Sequence, residues 1–125
     1  MTRVHTATAP AAIGPYSQGY AIGGLLFVSG QLPIDPRTGT IDAREASEQA
    51  LQCLLNIKAV AEAAGTSLNR TVKTTIMLTD MSTFSSVNEV YARFFIEPYP
   101  ARVCYEVSAL PKDAAVEIDA IVALS

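Results

Sequence analysis

Across residues 116–124 the side chains alternate between two kinds of surface. Val116, Ile118, Ala120 and Val122 fall on one face, and Glu117 and Asp119 take the other. A period of two marks an extended strand, because a helix would scatter these residues around its axis. Residues 102–107 repeat the pattern, with Val103, Tyr105 and Val107 set against Arg102, Cys104 and Glu106. The two runs are joined by residues 108–114, a loop that holds Pro111 and the pair Lys112-Asp113. Both runs are apolar enough to read as central strands. Charged side chains in such strands cost free energy unless they are paired or put to use. Arg102, Cys104 and Glu117 are therefore the first candidates for chemistry.

The rest of the chain must supply what covers these strands. Residues 16–22 and 25–29 flank Gly23-Gly24 and read as a β-hairpin about a two-glycine turn. Asp35-Pro36-Arg37-Thr38-Gly39 is a turn. Over residues 42–64 the period changes. Ala46, Ala50, Leu54, Ile57, Ala61 and Ala64 recur at three- and four-residue steps, with Glu45, Glu48, Gln52 and Glu62 opposite, and Gly65 ends the helix. Residues 72–78 alternate again, placing Val72, Thr74, Ile76 and Leu78 against Lys73, Thr75 and Met77. A second helix is expected from Ser82 as N-cap, turning Phe84, Val87, Tyr91 and Phe94 inward and stopping before Pro98. The order is β-β-α-β-α-β-β, with room for a further short strand near residues 1–6. Two helices on a mixed sheet make a two-layer α+β domain spanning residues 1–125.

Composition narrows the function classes. The chain has 125 residues, enough for one core, and 50% of them are hydrophobic, which argues against disorder. A formal net charge of −3 offers no electrostatic footprint for nucleic acid or an anionic membrane. No apolar run approaches the roughly 20 residues of a membrane span. The N-terminus lacks the apolar core of a secretion signal. Cys53 and Cys104 are too few for a disulfide framework, so a reducing cytoplasm is the expected location. With 17% charged residues, the surface is sparsely charged for a monomer, and some apolar surface is expected to be buried against copies of the chain. One histidine, His5, and two distant cysteines give no metal-ligand cluster. Gly23-Gly24 opens no helix and precedes no GK[ST], so it is not a phosphate loop.

Six segments in order resemble one family. They are Ala12-Ile13-Gly14-Pro15-Tyr16-Ser17-Gln18, Val28-Ser29-Gly30-Gln31-Leu32-Pro33, Val72-Lys73-Thr74-Thr75, Val87-Asn88-Glu89-Val90-Tyr91-Ala92-Arg93-Phe94-Phe95, Pro100-Ala101-Arg102-Val103-Cys104, and Leu110-Pro111-Lys112-Asp113 leading into Val116-Glu117-Ile118. Together they resemble the reactive intermediate deaminase family, RidA (YjgF), nearly end to end. The resemblance implies a chorismate-mutase-like fold, assembled as a homotrimer around a central β-barrel, with sites in the clefts between subunits. It implies hydrolysis of 2-enamines and 2-imines (2-aminoacrylate, 2-iminopropanoate, 2-iminobutanoate) to 2-oxo acids and ammonia, without a cofactor. Pyridoxal-phosphate dehydratases acting on serine and threonine release such intermediates and would be the functional partners. The family's site positions fall on Tyr16, Ser29, Asn88, Arg102, Cys104 and Glu117. One departure is visible: Ile96-Glu97-Pro98-Tyr99, before Pro100, is shorter than is usual in close relatives.

The chemistry of the residue types fits that implication. A guanidinium at Arg102 offers a planar fork for a substrate carboxylate; the alternative is a structural salt bridge to Glu106 or Glu117. Glu117 is the candidate base for a water adding to the imine carbon. Cys104 has no histidine partner for nucleophilic catalysis and reads as a cleft-lining side chain. Tyr16 can give a phenolic hydrogen bond, Ser29 and Gly30 a hydroxyl and backbone N–H groups, and Asn88 a contact from the second helix. Two other classes stay open: a non-catalytic trimer that binds small carboxylates such as 2-oxo acids, and a ribonuclease. The acidic balance and the lone histidine count against the ribonuclease.

Overall fold

The computed structural model describes residues 1–125. Six strands, β1 (Thr2–Val4), β2 (Gly19–Ile22), β3 (Leu25–Gln31), β4 (Thr71–Leu78), β5 (Ala101–Glu106) and β6 (Val116–Ala123), form one sheet in the order β1-β2-β3-β6-β4-β5. Helices α1 (Ala46–Ala63) and α2 (Phe84–Ala92) cover one face. Neighbouring strands are antiparallel except β4 and β5, which run parallel through α2. This is the expected mixed-sheet α+β arrangement, and the short strand near the N-terminus forms as β1. No helix is long and apolar enough to cross a membrane.

The alternation along β6 decides which face is covered. Val116, Ile118, Ala120 and Val122 are buried and alternate with half-buried Glu117, Asp119, Ile121 and Ala123. They meet Leu54, Ile57 and Val60 of α1 and Val87 and Tyr91 of α2 in one apolar core. Full burial of an aliphatic side chain stabilises by about 1.5–3 kcal/mol, so this stripe does most to fix the register of β6. Gly23 and Gly24 both take positive φ, 61° and 77°, which is what a two-residue hairpin turn needs and what a Cβ would oppose.

Four expectations need correction. Strand β5 is not central: it is the sheet edge in a single chain, and its residues are exposed apart from half-buried Cys104. Its apolar face has no covering layer within the chain. Val72 does not share the buried face of Thr74, Ile76 and Leu78: it is exposed, at the slip in the pairing of β4 with β6 between Thr71 and Lys73. Ser82 is not the cap of the second helix. The N-cap of α2 is Thr83, with no side-chain cap bond, and Asp80 caps the 3₁₀ turn before it, Met81–Thr83, its carboxylate accepting from Ser82 N at 2.9 Å. Helix α1 starts at Ala46 rather than at 42, since residues 35–42 are held by side-chain bonds among Asp35, Thr38, Thr40 and Asp42.

Candidate functional site

The carboxylate half of the site is built by an irregularity in β3. Val28 pairs with Ala120 and Gln31 with Ile118, so Ser29 and Gly30 together stand opposite Asp119 alone. This is a β-bulge, which bends a strand and re-aims its side chains. The bulge brings Gly30 against Glu117. A Cβ on residue 30 would collide with the Glu117 carboxylate, so glycine is required for the approach. Ser29 is held in turn, its N donating to Gln18 O at 3.0 Å and its Oγ to Ser17 O at 2.5 Å. Tyr16 and Ile13 overhang from the segment before β2. A cleft of about 500 Å³ results, lined by Ile13, Tyr16, Ser29, Gly30, Leu32 and Glu117 among others. That is within the usual size range for small-molecule sites.

Glu117 forms no ion pair, although Lys112 also lines the cleft. The one ion pair of the chain is Arg37–Asp35 at 2.9 Å. Burial pushes the Glu117 carboxyl above the ordinary carboxylate value, and the negative charge of Asp119 pushes the same way. A half-buried, unpaired carboxylate raised by burial has the character of a general base.

The guanidinium half lies elsewhere. Arg102 pairs with Thr74 and Cys104 with Ile76, and Ile76 pairs on its other side with Ile118. Paired residues share a face, so Arg102 and Cys104 point to the helix side with Ile118. Glu117 points to the opposite face. Arg102 packs over α2: its guanidinium carbon is 4.9 Å from the Tyr91 ring centroid and 5.5 Å from that of Phe84, and Nη1 donates to Asn88 Oδ1 at 2.7 Å. Tyr91 is fixed by a 2.7 Å hydrogen bond between its hydroxyl and that of Thr74. Neither structural salt bridge open to Arg102 forms. Glu106 instead accepts from Met81 N at 2.8 Å. Arg102 and Cys104 line a second cleft of about 470 Å³ with Phe84 and Met81.

The seven sequence candidates therefore divide into two groups. Tyr16, Ser29, Gly30 and Glu117 share one cleft, and Arg102 and Cys104 line another, with Asn88 bonded to Arg102 beside it. Burial raises the Cys104 thiol, with Arg102 only partly offsetting it, so the protonated form prevails and nucleophilic use is disfavoured. Sequence reasoning missed Phe84 and Tyr91 as the platform for Arg102, having assigned both to the core alone. It also missed Gln31, Lys112 and Leu32, which line the carboxylate cleft. The bulge was the signal for Gly30, but a serine-glycine pair at a strand end does not announce one.

Comparisons with known proteins bear on this geometry. The family profile described as Endoribonuclease L-PSP matches residues 6–124. The RutC family protein y4sK of Sinorhizobium fredii is 59% identical over 122 residues, 98% of this chain and 97% of that protein. The 2-iminobutanoate/2-iminopropanoate deaminase of Salmonella typhimurium is 49% identical over 121 residues, 94% of each chain. The crystal structure of RidA from an Antarctic Psychrobacter superposes with a TM-score of 0.93 at 45% identity, covering 98% of this chain and 99% of that one. The chain belongs to the RidA (YjgF) family. Its sheet order and two-helix layer are those of a RidA protein, and members of the family carry imine-deaminase names.

The bulge gives this RidA chain a direct test. Gly30→Ala is expected to leave the fold intact while displacing the Glu117 carboxylate. A misplacement of 1 Å can cost about a hundredfold in rate, and a flexible carboxylate should recover part of that, so roughly a tenfold fall in kcat is expected. Steady-state kinetics beside a thermal melt checks it. An unchanged kcat would mean that the contact between Gly30 and Glu117 is only packing.

Proposed function

We propose that the protein hydrolyses 2-imino acids, and their 2-enamine tautomers after protonation at carbon 3, to 2-oxo acids and ammonia. Arg102, with its remaining donors, holds the substrate carboxylate. Glu117 takes a proton from a water as its oxygen bonds to carbon 2 of the imine. The C=N bond becomes a single bond, and the resulting carbinolamine carries OH and the amine on one carbon. Return of the proton to nitrogen lets ammonia leave, and the hydroxyl gives its own proton to Glu117 as the C=O forms. Near neutral pH the imine is largely protonated at nitrogen, so the reaction needs orientation and a modest base rather than a strong nucleophile or a cofactor. Tyr16, Ser29 and Gly30 close the carboxylate side, and Asn88 and Cys104 the guanidinium side. Two free thiols, one buried and one half-buried, suit a reducing cytoplasm.

The observation that carries the reading is Glu117 itself: an unpaired, half-buried carboxylate raised by burial at the floor of a cleft of substrate size. A protein that only bound 2-oxo acids through Arg102 would have no use for a base beside the carbonyl carbon. A ribonuclease would need a basic groove, and the chain carries a net charge of −3. The test is a coupled assay. A pyridoxal-phosphate dehydratase or an amino-acid oxidase generates the imine, semicarbazide traps it, and the protein is asked to lower trapping while speeding oxo-acid formation. Unchanged trapping with retained oxo-acid binding would favour the non-catalytic reading.

Because the two groups point to opposite faces, the complete site joins Arg102 of one copy to Glu117 of another. The uncovered face of the sheet favours this, with exposed Tyr20, Phe27, Val103 and Tyr105 in place of a second helical layer. A homotrimer is expected at micromolar concentration by multi-angle light scattering. A monomer that nonetheless hydrolyses imine would rule out the shared site.

A further inference from the structure

Residues 10–17 form a strap without regular structure that carries Ile13 and Tyr16 over the Glu117 cleft. The strap has one backbone hydrogen bond of its own, Tyr16 N to Gly14 O at 2.8 Å. Its far end is tied to the bulge, through Ser29 Oγ to Ser17 O at 2.5 Å and Ser29 N to Gln18 O at 3.0 Å. Its near end is tied by a single side chain. Gln18 is 3% exposed, and its Oε1 accepts from Thr6 N at 2.7 Å. Its Nε2 faces Thr6 O at 3.1 Å, Ala9 O at 3.3 Å and Pro10 O at 2.7 Å. Two amide hydrogens thus serve three carbonyls. Pro10 has no N–H to offer, so the chain here depends on an outside donor for its carbonyls.

We infer that Gln18 is the positioning residue of the carboxylate cleft: its carboxamide fastens residues 6–10 to β2 and thereby sets Ile13 and Tyr16 against Ser29, Gly30 and Glu117. A buried amide placed here for stability alone could be satisfied by any neighbour. This one spends every bond on the root of the strap. Its own backbone carbonyl holds the bulge that seats Glu117. The residue thus couples the roof of the cleft to its floor.

Two variants test this. Gln18→Leu removes all four bonds. Gln18→Glu keeps the acceptor for Thr6 N but sets a carboxylate against three carbonyls. Hydrogen exchange by mass spectrometry reads the strap without substrate. The hydrogen-bonded amides of Tyr16 and Ser29 are expected to exchange at least about tenfold faster in both variants, with peptides over β4 and β6 unchanged. The kinetic arm rests on the deaminase reading. There Gln18→Leu is expected to lower kcat/KM about tenfold, and Tyr16→Ala to cost less in the Gln18→Leu background than in the native protein, because coupled sites are not additive. If the native protein proves not to hydrolyse imines, the exchange arm alone decides. If Gln18→Leu loosens the whole sheet, Gln18→Glu decides. Unchanged strap exchange overturns the inference. So do general loosening in both variants, a Tyr16→Ala without effect, and losses that simply multiply.

Discussion

Glu117→Gln is expected to lower imine hydrolysis by about a hundredfold or more, the usual range for a positioned acid-base group, with the fold retained. The substitution keeps size and one acceptor oxygen, and removes the ability to hold a proton. The stability sign is worked out from the raised carboxyl. A carboxylic acid whose folded value lies above its unfolded one is favoured folded when protonated, and that advantage is lost as pH rises through the folded value. At neutral pH the native carboxylate therefore costs stability in its cleft, and a neutral carboxamide in its place does not. The melting temperature at pH 7 should hold or rise in the variant while kcat collapses. The native rate should climb with pH through a midpoint above the ordinary glutamate value, because burial and then Asp119 hold Glu117 up. Loss of both activity and stability at pH 7 would assign Glu117 a structural role instead. A native midpoint at or below the ordinary carboxylate value would remove it as the base.

Much of the fold was legible because period and burial coincide. Along β6 every second residue reaches the core, so the covered face, the strand and the two-layer class all follow from one stretch of sequence. The α1 stripe works the same way, with Ala50, Leu54, Ile57 and Ala61 all buried. Legibility failed where burial is not supplied by the chain itself. The alternation in β5 is as clean as that in β6, yet β5 is an exposed edge, since the sequence records a face that wants covering and not what covers it. The site shows the same limit. Arg102, Cys104 and Glu117 lie near one another in sequence, but a parity difference between paired strands sends them to opposite faces. The parity depends on which residue faces Ile76, and no single strand encodes that. Gln18 and the bulge at Ser29-Gly30 were invisible for a related reason. Their roles are bonds between side chain and backbone and a close approach to Glu117, which leave no periodic trace.

Arg102→Lys separates charge from geometry. If Arg102 supplied only a positive charge, lysine would serve nearly as well. The structure gives arginine two things lysine lacks. One is a flat guanidinium that lies against the rings of Tyr91 and Phe84, and the other is a spare edge once Nη1 is spent on Asn88. The platform is itself rigid, since the Tyr91 hydroxyl is bound to Thr74. An edge held in that plane can give a carboxylate two parallel hydrogen bonds, whereas an ammonium gives one and rotates. A charge-assisted hydrogen bond is worth roughly 1.5–3 kcal/mol. At about 1.4 kcal/mol per decade, Arg102→Lys should lose about ten- to a hundredfold in kcat/KM. Affinity for 2-oxobutyrate should fall in parallel, because the carboxylate survives into the product. Arg102→Ala should lose more, because the charge goes too. Steady-state hydrolysis and calorimetric titration with oxo acids, on variants shown to fold by circular dichroism, read both effects. A fully active Arg102→Lys would refute the two-bond anchor and leave the charge. A fully active Arg102→Ala would take Arg102 out of the site, and with it the reason for one copy of the chain to meet another across the cleft.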